Sequence, residues 1–135
     1  MATIAEIRSG LKTRLATISG LRTTDTVPDV INPPVAIVMP QTVTYDETMR
    51  RGLATYTFTV MVIVGRASER SAQTALDSFV AQTGATSVKA AIEGDKTLGG
   101  TVFDTRVTTM RSYGSTTQGD VLYLATEFTV LVYAS

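Results

Sequence analysis

The chain has 135 residues with 12 basic and 12 acidic side chains, a formal net charge of zero, and no His, Cys or Trp. These counts remove the imidazole and thiol ligands of zinc, copper and iron sites, along with the commonest general base and the commonest thiol nucleophile, and the lack of a basic excess disfavours a polyanion binder. This length suits one domain with a real core, and a charged fraction of 18% with abundant threonine implies a surface rich in hydroxyls and small apolar groups, suited to packing against other protein.

Thr3-Ile4-Ala5-Glu6 has the spacing of a capping box, so a helix is expected to start at residue 3 or 4. Ile4, Ile7, Leu11, Leu15 and Ile18 recur in steps of three and four and form its buried stripe, and Ser19-Gly20 supplies a left-handed stop. Leu21 to Pro34 is polar and carries Pro28, Pro33 and Pro34, which reads as an extended loop. Val35 to Met39 is an apolar run closed by Pro40, the pattern of a strand buried on both faces, and Thr42 to Tyr45 reads as a second strand or an edge. Asp46 to Gly52 is a charged connection.

Ala54 to Val64 carries the strongest strand signal: Tyr56, Phe58, Val60, Val62 and Val64 alternate with Thr55, Thr57, Thr59, Met61 and Ile63. One face is wholly apolar, and the other changes from threonines to Met61 and Ile63, so its first half should be the wetter one. Ser68 is the expected cap of a second helix with Ala72, Leu76, Phe79 and Val80 inward, ended by Thr83-Gly84. Ser87 or Thr86 caps a shorter helix with Val88, Ala91 and Ile92 inward, ended at Gly94. Val102 to Tyr113 is strand-like but out of phase with itself, which predicts a bulge; Gly114 to Gly119 reads as a hairpin loop, and Val121 to Tyr133 as a last long strand. The order predicts a single α+β domain spanning 1–135, a mainly antiparallel sheet with helices packed on one face.

Catalytic chemistry is not expected. Asp46-Glu47 is the only adjacent carboxylate pair, and neighbours on an extended segment point apart. Glu93 and Asp95 flank Gly94 without the spaced oxygens of a calcium loop, the glycines at 94, 99 and 100 follow no phosphate-binding pattern, and serine has no histidine to activate it. No cofactor, no metal and no enzyme activity are predicted. No leader-like segment opens the chain and no run approaches the ~18 apolar residues that cross a bilayer, so synthesis in a cytoplasm without membrane partners is expected.

Three segments carry a resemblance: Tyr45-Asp46-Glu47-Thr48-Met49-Arg50-Arg51-Gly52, Gly65-Arg66-Ala67-Ser68-Glu69-Arg70-Ser71-Ala72-Gln73, and Ser87 to Val102 with its Glu93-Gly94-Asp95-Lys96-Thr97-Leu98-Gly99-Gly100 turn. From about residue 35 onward the chain resembles the tail terminators and tail-completion (neck) proteins of siphophages infecting actinobacteria. The resemblance implies an α+β subunit of a ring, expected to be hexameric, that caps the tail tube, stops its polymerisation and meets a head-completion or connector protein. Its implied partners are further copies of itself, the major tail tube protein and that connector, with DNA passing through the lumen without sequence-specific binding. The implied location is the virion neck, after assembly in the host cytoplasm. Tyr45, Asp46, Glu47, Arg50, Arg51, Arg66, Glu69 and Arg70 are the expected contact residues, because they sit at the two ends of the long strand. A head-side stopper and, from another class, a small ligand-binding α+β domain are the rival readings.

Overall fold

The structure, a computed structural model, describes residues 3–18, 21–24, 34–45, 54–66, 70–84, 86–118 and 121–134. Helix α1 (Ile4–Leu15) starts where the capping box predicts: the Thr3 hydroxyl accepts the Glu6 N–H at 3.1 Å. The Glu6 carboxylate accepts from that hydroxyl rather than reaching the Thr3 amide. Ile7, Leu11 and Leu15 are buried along one stripe, with Ile18 beyond the last turn. The expected stop at Ser19-Gly20 lies outside the described residues.

Within the stretch read as a loop there is a three-residue strand, β1 (Arg22–Thr24), parallel to the start of β2 (Val35–Thr44). Three polar residues carry too little alternation to announce a strand, and the ladder of β2 supplies what the local sequence lacks. Nor does Pro40 break β2. The strand runs through it with a bulge between Pro40 and Thr42. Past Ile37 the outer side of β2 has no partner strand among the described residues, so the missing proline N–H costs no ladder bond.

Strand β3 (Ala54–Arg66) pairs antiparallel with β2 on one side and with β5 (Val121–Ala134) on the other. Helix α2 (Arg70–Val80) follows, with Leu76 and Phe79 buried; its expected cap, Ser68, lies outside the described residues. Helix α3 (Val88–Glu93) is capped by the Ser87 hydroxyl, which accepts the Ala90 N–H at 3.1 Å. Strand β4 (Asp104–Gln118) then runs to Gln118 straight through Gly114, so the hairpin to β5 is shorter than predicted and the glycine sits inside the ladder, opposite Ala125. The predicted irregularity is present twice, between Val107 and Thr109 and between Arg111 and Gly114.

The five strands lie in the order β1-β2-β3-β5-β4, antiparallel except for β1-β2. Since β5 is antiparallel to both β3 and β4, the segment carrying α2 and α3 joins two parallel strands around a third, a split β-α-β unit. All three helices pack on one face of this mixed sheet, and the molecule is a single α+β domain. The main core joins Leu11 and Leu15 of α1, Leu76 and Phe79 of α2, and Val88 and Ile92 of α3 to the even-numbered residues of β3 and β5, with Phe58, Val60, Val130 and Val132 at its centre.

Candidate interaction surface

Pairing register sorts every sheet residue onto one face or the other. The helix-free face carries Val35, Ile37, Met39, Thr42 and Thr44 of β2; opposite them on β3 are Ile63, Met61, Thr59, Thr57 and Thr55. It continues through Ala125, Glu127, Thr129, Leu131 and Tyr133 of β5 to Asp104, Arg106, Thr109 and Arg111 of β4. No described helix or strand lies over it. At one end Val35, Ile37, Ile63 and Ala125 are buried by Met39, Met61 and Tyr123, which pack among them as a second, smaller cluster. At the other end the threonines of β2 and β3 stand half-buried or exposed, apart from Thr59, whose hydroxyl donates to Gln41 Oε1 at 2.9 Å. The two halves expected of β3 are thus both present, and the wetter half is the one nearer Thr55.

Charge on this face runs across β5 and β4 and also stands on the β1 side. Arg111 Nε lies 3.2 Å from Glu127 Oε2, a pair beside Asp104 and Arg106 on the β4 side, and Arg22 marks the β1 side. Arg111 thus has an ion-pair partner within its own chain. From Thr57 and Thr59 across to Thr129 and Leu131 the face is apolar and hydroxylic, while Met61 stands opposite Glu127.

The outer edge of β4 is closed by α3. The Glu93 carboxylate accepts the Val107 N–H at 3.1 Å, and the Lys89 ammonium, which ion-pairs with Glu93, donates to the Val107 carbonyl at 3.5 Å. Partial burial pushes the Glu93 carboxyl upward, but the hydrogen bonds from Lys89 and Val107 and the charges of Lys89 and Lys96 outweigh it and leave the group below its ordinary value. Asp95, two residues on, folds back to accept from the Thr97 hydroxyl and the Thr97 and Gly99 N–H groups; these bonds, that of the Thr97 hydroxyl foremost, lower its pKa. The two carboxylates thus serve different local partners.

The second bulge of β4 turns Tyr113 toward α2, where its hydroxyl donates to Asp77 Oδ1 at 2.6 Å. That bond to a carboxylate raises the phenol above its ordinary value. Ser112, at φ 57°, absorbs the turn in the chain. A groove of about 520 Å³ lies between α1 and the turn at 95–101, but two of its charged groups are already engaged: Arg14 Nε donates to the Ala91 carbonyl at 2.9 Å, and Asp95 holds its own turn.

Of the residues singled out in the sequence, Tyr45 follows β2 and is 71% exposed. Arg66 closes β3 opposite Tyr123, and Arg70 opens α2; their side chains, and all of Asp46, Glu47, Arg50, Arg51 and Glu69, lie outside the described residues. Because Thr44 pairs with Thr55, Tyr45 is at one end of β3 and Arg66 at the other, about 36 Å apart along the strand. Tyr45 and Arg66 therefore stand at opposite ends of the sheet. The helix-free face between them was not singled out from sequence, although the switch from threonines to Met61 and Ile63 was its visible trace.

No protein-family model matches the chain, and no curated protein matches it. Among the described residues no helix is long and apolar enough to cross a membrane, and no three His, Cys, Asp or Glu side chains gather to hold a metal ion.

Proposed function

We propose that the protein is a structural virion subunit, a tail terminator that assembles as a ring, expected to be hexameric, on the finished tail tube. The observation that carries this reading is the helix-free sheet face, which mixes apolar and hydroxylic side chains with the charged residues of β4 and β5 and has no described helix or strand over it. The resemblance of the Tyr45–Gly52, Gly65–Gln73 and Ser87–Val102 segments supplies the kind of assembly. Such a subunit works by complementarity: one side of the ring copies the docking surface of a tube ring, and the other lacks it and offers a platform to the head-side connector. Contacts repeated around a closed ring sum to a stable cap, so each one can be weak.

The test is negative-stain imaging and mass measurement of the purified protein, alone and with tail tubes, together with deletion of its gene from the phage. Rings seated on tube ends, and overlong or headless tails from the deletion, are expected. Normal virions from the deletion would overturn the reading, and a ring found on the head side of the joint would reassign the subunit to the stopper position.

A further inference from the structure

We infer that the Lys89–Glu93 pair of α3 is an autoinhibitory guard on the β4 edge, which keeps β4 of a second copy from adding to the sheet along residues 104–107. The guard is independent of the ring reading and acts on any copy, free or assembled.

β4 stands at the end of the strand order, so one side of it has no partner strand among the described residues. Such an edge offers a row of N–H and C=O groups to any extended chain. Two bulges divide β4 into regular runs at 104–107, 109–111 and 114–118. Bulging turns the middle run away from a straight ladder, helped by the left-handed Ser112, and the last run opens on a glycine at the hairpin end. The first run has neither defect and lies against the best-buried part of β5, with Val107 opposite Val130 and Thr105 opposite Val132.

It is this run that α3 closes. Glu93 accepts the Val107 N–H at 3.1 Å, and the Lys89 ammonium donates to the Val107 carbonyl at 3.5 Å. In an antiparallel ladder two opposed residues exchange both of their N–H···O bonds. The Lys89–Glu93 ion pair supplies the same one acceptor and one donor from side chains, so Val107 has its strand-like partners without a strand. Charged side chains set into an edge are among the devices that stop strands adding to it. With the guard in place Thr105 is fully buried and Val107 nearly so.

The strand kept out is a second β4, because residues 104–107 are complementary to themselves. Setting Thr105 of one copy opposite Thr105 of the next, antiparallel, brings Asp104 opposite Arg106 twice on the helix-free side. The threonine pair between them is also a favourable cross-strand pair. Asp104 is the one acid of β4, and Arg106 lies two residues from it, so the other runs have no such match. That ladder passes through the Val107 N–H and carbonyl, the two groups that α3 holds.

The test compares the wild-type chain with Lys89→Ala/Glu93→Ala, and with Lys89→Met/Glu93→Leu, which keeps apolar stems should the alanine pair fail to fold. Thermal melting selects the folded variant. Deuterium exchange of the Val107 amide at low concentration reads the guard, and sedimentation velocity reads assembly against the wild-type state. Lost protection at Val107 and a concentration-dependent doubling of mass over the wild type are expected. Adding Asp104→Arg should abolish the doubling, since it sets arginine opposite arginine, and adding Arg106→Asp as well should restore it. A folded variant that keeps the wild-type mass, or a doubling that Asp104→Arg leaves in place, would overturn the guard. Neither result touches the ring reading, which the assembly of the wild type alone decides.

Discussion

Thr105 is fully buried on the helix side of β4, opposite Val132, and its hydroxyl has no hydrogen-bond partner among the described residues. Burying an unpaired hydroxyl opposes folding, whereas valine has nearly the same shape without that cost. Thr105→Val is therefore expected to raise unfolding stability by about 1 kcal/mol, read as a higher urea midpoint at unchanged slope. Glu93 works the other way. Its folded pKa lies below the ordinary value of 4.5, so its contribution is complete above that pH and is lost as pH falls through the lowered value. Glu93→Ala, which leaves the Val107 N–H and Lys89 without their acceptor, should cost about 1–2 kcal/mol at pH 7. Glu93→Gln should cost less and weaken the loss of stability below pH 4.5, checked by melts from pH 3 to 7. An acid limb unchanged in Glu93→Gln would show that this carboxylate does not set it.

Among the elements, β4 departs furthest from its sequence pattern. Its parity mismatch at Val107 and Met110 was a true sign of bulging, yet Gly114 read as the start of a turn because glycine weakens a strand interior, where it also marks bulges such as this one. Here the second bulge is tied by the Thr126 hydroxyl, which donates to the Arg111 carbonyl at 2.9 Å, and the strand resumes beyond it. A left-handed residue other than glycine costs roughly 1 kcal/mol. Ser112→Gly is accordingly expected to stabilise by up to about 1 kcal/mol and Ser112→Val to destabilise by about as much or more, measured by chemical denaturation. β1 and the continuity of β2 through Pro40 escaped for a related reason: each depends on whether a neighbouring strand is present, and no local composition reports that. The helix caps at Thr3 and Ser87 and the helix stripes were legible because their partners lie three or four residues away.

At the scale of the molecule, the split β-α-β connection and α1 place every described helix on one side of the sheet, and this produces the feature on which the functional reading turns. Among the described residues three helices lie on one face and none covers the other. The rim segments at Tyr45 and Arg66 were chosen from sequence because they flank the longest apolar strand, and the structure sets them at opposite ends of it. What lies between them is a broad surface, which is better suited to protein contact than either end alone.

By itself the sequence determined the α+β class, the three helices and their buried stripes, the long β3 and β5, and the lack of histidine and cysteine chemistry, since all of these are periodicities or compositions held within a few residues. Only the tertiary structure decided which strand pairs with which, that β5 inserts between β3 and β4, that β1 exists, and that α3 closes the β4 edge through Glu93 and Lys89. Those outcomes follow from hydrogen bonds and packing between residues far apart in the chain, and from the position of one bulge relative to another. A shift of one residue in register would exchange the two faces of a strand, and with them the surface left for a partner.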